Sequence, residues 1–339
     1  MKERNRSIDA IKGVAIVLVM IGHVFVHNRM EDPYIYDFIK AVQMPLFMIV
    51  SGYLCGQGRK ITDLKTYGKV MGKRAAAYLL PFFSWLTLLH WDNLIEAYKR
   101  VAFELDFGLW FLAVLFILTF MVYTAQLVSA KFREKREILS ELLFWSTYGA
   151  FCFVLLMQCL VGNRFLSPSL TLLYVPFYML GYVTGNYGKN FLNRTKSKGC
   201  KIDYKNEWYV RSGMYACTLI FLYLVITKNL NSMETKIDIL VQMLASFLGS
   251  AAIILSVLRW KEGRIKSFFA NIGLYTLEIY VVHYHFADIL NFNGELYDFY
   301  TLQGVSFVLI SFVAMCAITF VCVWMMKKVK ILDFLFFGK

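Results

Sequence analysis

Asp9-Ala-Ile-Lys12-Gly-Val-Ala-Ile-Val-Leu-Val-Met-Ile-Gly-His23-Val-Phe-Val-His27 sets three ionisable side chains, Asp9, Lys12 and His23, into an otherwise apolar run that ends at a second histidine. On an α-helix, positions 9, 12 and 23 fall within about 60° of one another, because eleven residues make close to three turns. The run Ala10–Val26 is long and apolar enough to cross a bilayer, with His23 deep in the span and Asp9 and Lys12 at its entry. An ionisable group in lipid is costly, so it faces a protein interior and marks a functional site by default. The competing reading is a satisfied histidine that ties two helices together.

The rest of the chain is of the same kind. Of 339 residues, 58% are hydrophobic and only 17% charged, which excludes an ordinary soluble domain. Ten apolar runs are predicted as spans: 10–26, 39–56, 75–89, 109–128, 141–161, 168–185, 213–227, 238–258, 270–290 and 305–326. The third is the shortest and extends toward Ile95 if His90 and Asp92 face protein. With an inside N-terminus, 29 of the 36 Lys and Arg fall in inside segments and seven outside, in alternation from loop to loop. That bias predicts an all-α integral membrane protein of about ten transmembrane helices, with both termini cytoplasmic. No repeat, low-complexity linker or soluble module interrupts residues 1–339, so one polytopic domain is expected.

The net charge of +13 follows from these flanking loops, which meet anionic headgroups, and needs no nucleic acid. The basic loop Lys189–Arg211 suits either topology or a phosphorylated cytosolic ligand. The first apolar run lacks a small-residue cleavage site and is expected to be retained. Cys55, Cys152, Cys159, Cys200, Cys217, Cys316 and Cys322 form no CxxC pair and read as packing residues. His23, His27, His90, His283 and His285 come without HExxH or a Cys/His pair, so no metal site is expected. GxSxG, Walker and GxGxxG signatures are absent from the sequence.

Depth can be compared between spans. His23 lies thirteen residues outward from Ala10, and His283 thirteen outward from Ala270, which sets both in the outer half of the bilayer at ~1.5 Å per residue. Gln43 and Pro45 fall near that level, Glu278 near the middle, Asp288 near the outer rim, and Ser51 and Gly52 in the inner half of the second span. Neighbouring helices would align these groups into a polar column.

The stretch from Ser7 to His23 resembles the opening motif of the acyltransferase family 3 membrane proteins, in the branch of fucose O-acetylase-like polysaccharide acetyltransferases. Further matches follow in order: Met44-Pro-Leu-Phe-Met-Ile-Val-Ser-Gly-Tyr53, Leu79-Leu-Pro-Phe82, Leu109-Trp-Phe-Leu112, Phe177-Tyr-Met-Leu-Gly181 and Ile272-Gly-Leu-Tyr-Thr-Leu-Glu-Ile-Tyr-Val-Val-His283. The resemblance implies transfer of an acetyl or other acyl group from acetyl-CoA to a hydroxyl of a cell-surface polysaccharide or lipid-linked glycan. It also implies a location in the cell membrane and polysaccharide-assembly proteins as further partners. The family's basic residue, ten positions, then catalytic histidine map to Lys12 and His23. Lysine keeps the charge of the more usual arginine but loses its bidentate fork. Tyr78 stands where many members carry arginine before Leu-Leu-Pro, which leaves Lys73 and Arg74 as the nearest basic candidates.

Chemistry then assigns roles. A sugar hydroxyl is a poor nucleophile at neutral pH, and His23 is the expected base that takes its proton. Lys12 lies about 16 Å from His23 by helix rise, too far for an oxyanion. It is expected to pair with Asp9 and meet the phosphates of CoA. Glu278 and His283 are expected to orient His23 or contact the acceptor, against the reading of Glu278 as an interhelix hydrogen-bonding group. His27 and His285 receive no role. Trp110 reads as an interfacial aromatic anchor rather than a pocket wall, and Ser51 as packing rather than as a nucleophile. A transporter or flippase of a lipid-linked sugar or small solute is the competing class, and an acyl-CoA or lipid sensor a third.

Overall fold

A computed structural model describes residues 5–30, 34–133, 136–197, 208–228, 230, 235–291 and 294–339. Lys2, Arg4, Cys200 and the middle of the basic loop at 189–211 lie outside the described residues. The described chain forms thirteen α-helices: α1 (Arg6–His27), α2 (Tyr34–Gln57), α3 (Leu64–Leu89), α4 (Leu94–Phe103), α5 (Trp110–Ala130), α6 (Glu137–Leu160), α7 (Pro168–Ser197), α8 (Trp208–Thr227), α9 (Lys236–Arg259), α10 (Arg264–Ile272), α11 (Thr276–His283), α12 (Leu302–Lys328) and α13 (Lys330–Phe337). Seven of them, α1, α2, α5, α6, α8, α9 and α12, are long and apolar enough to cross a membrane. This is an all-α multi-pass membrane protein. The runs expected at 75–89 and 168–185 fall inside α3 and α7, long helices outside that set of seven.

One expected span takes a different form. Residues 270–290 are not one helix: α10 ends at Ile272, a turn spans 273–275, and α11 runs only to His283 before a 3-10 turn at Tyr284–Phe286. Hydropathy averages over this stretch and does not register the break, which tertiary packing makes.

The chain divides into two compact units, Met1–Val50 with Tyr187–Met325, and Ser51–Asn186 with Met326–Lys339. In the first, α1 starts at Asn5, whose side-chain oxygen accepts from the N–H groups of Ser7 (3.0 Å) and Ile8 (3.4 Å). It ends at the fully buried Asn28, whose amide donates to the carbonyls of Val24 (2.7 Å) and Ala287 (3.0 Å). One short side chain thus satisfies a helix-end carbonyl and ties α1 to the segment after α11. Met20, Val24, Phe25, Tyr36, Ile39, Val308 and Met315 form the apolar core around it.

Two glycines set the contact of α1 with α10. A Cβ on Gly13 would lie 1.9 Å from the Phe269 carbonyl oxygen, and one on Gly273 would lie 1.8 Å from that of Asp9. Only hydrogen fits at either place. The Phe269 carbonyl accepts from the Gly273 N–H, and the Asp9 carbonyl is the corresponding one a turn before Gly13, so both contacts mark one crossing of Gly13 on Gly273. With Arg6 on Ser267, His23 beside His283 and Asn28 on Ala287, α10 and α11 run in the same direction as α1. Residues 270–290 are broken between two helices but keep the direction of α1, and His283 stands beside His23 along it.

In the second unit α5 is the central helix, with Leu112, Val114, Leu118 and Val122 buried. Polar groups there close on one another: the Gln126 amide accepts from the Ile61 N–H (3.0 Å) and donates to the Tyr182 hydroxyl (3.1 Å). Pro45, Pro81 and Pro176 lie inside α2, α3 and α7. Each removes a helical N–H, a loss that membrane helices absorb through neighbouring groups. Gly52 lies under the Tyr178 carbonyl and close-packs α2 on α7 beside Ser51.

Asp63 caps the start of α3. Its carboxylate accepts from the Thr62 hydroxyl (2.7 Å) and from the N–H (2.8 Å) and hydroxyl (2.7 Å) of Thr66, and these bonds hold its pKa down to about 2. A depressed carboxyl stabilises the folded end above the ordinary carboxylate range, and that contribution is lost as pH falls through about 2. Carboxyl-carbon NMR should therefore find Asp63 titrating near 2; an ordinary aspartate titration near 4 would show that the cap does not form.

Candidate functional site

The polar face read in α1 is present, in two levels. At the helix start Lys12 Nζ lies 2.9 Å from Asp9 Oδ1, both side chains largely buried. Beside them α10 contributes the buried Lys266, whose Nζ donates to Glu262 Oε1 at 2.7 Å and to the Trp260 carbonyl at 3.5 Å. Arg6 reaches the same Glu262 at 3.7 Å and donates to Ser267 Oγ at 3.0 Å. Nη1 of Arg259, next in chain to Trp260, is enclosed without a partner. Arg6, Lys12 and Lys266 thus share two carboxylates, Asp9 and Glu262, and the helix end keeps a positive balance.

Three turns further along α1, His23 meets His283 of α11, ring centres 5.2 Å apart. Tyr284 stands edge-on to His23 at 5.1 Å and to His27 at 4.5 Å. His27 in turn lies 5.8 Å from His23, with Nδ1 4.0 Å from Asp288 Oδ2. His283 is fully buried, and its Nδ1 donates to the Ile279 carbonyl at 2.8 Å. Glu278, in the first turn of α11, is also fully buried; a helix N-terminus favours a carboxylate there. From α2, Gln43 brings its amide oxygen to Gly22, where a Cβ would stand 2.6 Å from it. The Gln43 oxygen is enclosed and receives no hydrogen bond.

The first unit therefore brings together His23 and His283, and separately Asp9 and Lys12. Lys73 and Arg74 belong to the second unit. Lys73 is exposed; Arg74 Nη1 donates to the Tyr78 hydroxyl at 3.1 Å, and the guanidinium stands 5.8 Å from the centre of that ring. Trp110 stacks on Tyr174 at 5.2 Å. Sequence reasoning gave His27 no role, although the four-residue spacing from His23 puts both on one face. Tyr284 carried no signal, because its contact with His23 and His27 is made only by the packing of this segment on α1.

Comparison with known proteins places this geometry in context. Residues 5–327 match the family model described as an acyltransferase domain. The nodulation protein NolL of Sinorhizobium fredii is 34% identical over 107 residues, 30% of this chain and 26% of that protein. NolL of Mesorhizobium japonicum is 36% identical over 92 residues, 25% of this chain and 24% of its own length. The chain thus spans about a quarter of the length of these two relatives. Glucans biosynthesis protein C of Salmonella schwarzengrund is 25% identical over 340 residues, 89% of this chain and 83% of that protein. No solved structure matches.

Proposed function

This chain belongs to the acyltransferase-domain family matched over residues 5–327, and from that premise we propose that it is a membrane O-acyltransferase acting on a polysaccharide or lipid-linked glycan. The observation that carries the reading is the meeting of His23 and His283 inside the bundle at 5.2 Å. In the proposed reaction His23 takes the proton of an acceptor hydroxyl as its oxygen attacks the thioester carbonyl. The new C–O bond forms, the C–S bond breaks, and the proton passes to the departing sulfur as free thiol. General-base help of this kind contributes about 10²–10⁴-fold.

The donor in this proposal is acetyl-CoA or another acyl-CoA, bound from the cytoplasmic side of the cell membrane, with both chain termini on that side. The positive balance around Arg6, Lys12 and Lys266 supports phosphate binding at the start of α1. Lys12 shares its charge with Asp9, so its contribution is to the field of the cluster rather than as a lone clamp. Within the second unit, taken by itself, Arg74, held by Tyr78, and the exposed Lys73 beside it are proposed as an anion-binding pair. Glu278 is proposed to fix α11 and so the ring of His283. The likeness to glucans biosynthesis protein C of Salmonella supports a glucan-type acceptor.

The test uses purified protein in nanodiscs with acetyl-CoA, with and without extracted glycans. Acceptor-dependent release of free CoA thiol with acetylated glycan is the expected result. Folded protein that moves a lipid-linked sugar without releasing CoA would overturn it in favour of a transporter.

A further inference from the structure

Two nitrogens at the histidine pair lack any partner: His23 Nδ1 and His283 Nε2 are both enclosed by protein and make no hydrogen bond. On His283 the reason is visible. Its Nδ1 faces the Ile279 carbonyl, which can only accept, so Nδ1 carries the proton and Nε2 of the uncharged ring holds a lone pair. His23 Nδ1 is the other enclosed atom, on the ring next to it. Ring nitrogens stand ~1.1 Å from the ring centre, so an N–H···N bond of ~3 Å separates two centres by roughly 5 Å. The observed separation is 5.2 Å, with the rings tilted by 56°.

We propose that His283 is the positioning residue for His23: Ile279 carbonyl, His283 and His23 form a chain in which His23 Nδ1–H donates to His283 Nε2, leaving His23 Nε2 as the base. The inference rests on the acyltransferase reading for the base and not for the pairing itself. The bond is unmade in the structure, and the ring separation of 5.2 Å is the one it would have if made. Closing it removes two orphaned buried polar atoms at once, each of which lost its water on burial without a replacement partner. It also fixes which nitrogen of His23 is protonated. Free imidazole side chains favour the proton on Nε2, which would leave the lone pair on the enclosed nitrogen, where no hydroxyl reaches it. A ring held in the other tautomer presents its lone pair from the nitrogen that protein does not enclose. The chain repeats the logic of a base oriented by a third group, with an imidazole and a backbone carbonyl in place of a carboxylate.

His283 Nδ1 reaches the Ile279 carbonyl at four residues' distance within its own short helix. The ring is therefore oriented locally, before it meets α1.

The decisive measurement is nitrogen-15 solid-state NMR of histidine-labelled protein in bilayers at neutral pH, with the His23 signal assigned by its absence in His23→Gln. The expected spectrum shows His23 protonated at Nδ1 in the wild type and at Nε2 in His283→Phe. A wild-type His23 protonated at Nε2 would overturn the proposal, and this readout requires no activity. Kinetics supply the second arm. His283→Phe should lose roughly 10²-fold in kcat with little change in the KM for the acyl donor, and His283→Gln, whose amide oxygen can accept from His23 Nδ1, should recover part of it. Equal losses in both folded variants, or unchanged kcat in His283→Phe, would reduce His283 to a packing residue.

Discussion

Replacing His23 with alanine is expected to lower acceptor-dependent CoA release by about 10²–10⁴-fold, the range that a general base contributes, and to leave the protein folded. His23 is only partly buried and makes no hydrogen bond that the helix needs. The α1 scaffold rests on the Asn5 cap, the Asn28 tie and the apolar core, all of which survive truncation of one ring. The loss should fall on kcat. The donor's phosphates are proposed to bind near Lys12, about 16 Å away by helix rise, so the KM for acyl-CoA should hold. Thiol release from monodisperse His23→Ala protein in nanodiscs checks both parts. A retained rate would remove His23 from the chemistry.

The largest expected effect on stability comes from Gly13. In Gly13→Leu even the first side-chain carbon would stand 1.9 Å from the Phe269 carbonyl, a backbone atom of a helix that cannot turn aside as a flexible side chain does. α1 and α10 would have to separate by more than 1 Å. Overpacking costs typically 1–3 kcal/mol, and more where backbone opposes backbone. The expected outcome is a clear fall in the thermal midpoint followed by size-exclusion after heating, with loss of transferase rate as α10 and α11 move. Gly273→Val should behave alike, since its Cβ would meet the Asp9 carbonyl at 1.8 Å. Gly72→Ala and Gly213→Ala, where nothing stands within 4 Å, are the controls and should stay near wild type. A Gly13→Leu protein as stable as these controls would contradict the observed α1–α10 contact.

Local properties of the chain were readable without a structure, and α1 shows why. Its apolar run, its length and the common face of Asp9, Lys12 and His23 follow from 3.6 residues per turn and the cost of burying charge in lipid, neither of which needs a partner helix. The Asp9–Lys12 pair, at 2.9 Å, is the three-residue neighbour relation that such a helix dictates. The all-α membrane class follows in the same way from composition. Arg74 shows the limit. The sequence offered it as a stand-in for a missing arginine at Tyr78, and the structure bonds it to the Tyr78 hydroxyl one turn on, a neighbour that the four-residue spacing allows but does not by itself make a partner.

The sequence by itself determined that this is a bundle of membrane helices and which face of α1 is polar, because hydropathy and helical periodicity are summed over neighbours in the chain. Only the tertiary structure decided that residues 270–290 break into α10 and α11, that α10 packs backbone to backbone on α1, and that His283 and Tyr284 close on His23 and His27. Those outcomes depend on contacts such as Gly13 with Phe269 and Asn28 with Ala287, made between residues more than 250 positions apart. Two backbones approach that closely only where both surfaces fit, and the fit belongs to the pair rather than to either stretch of sequence.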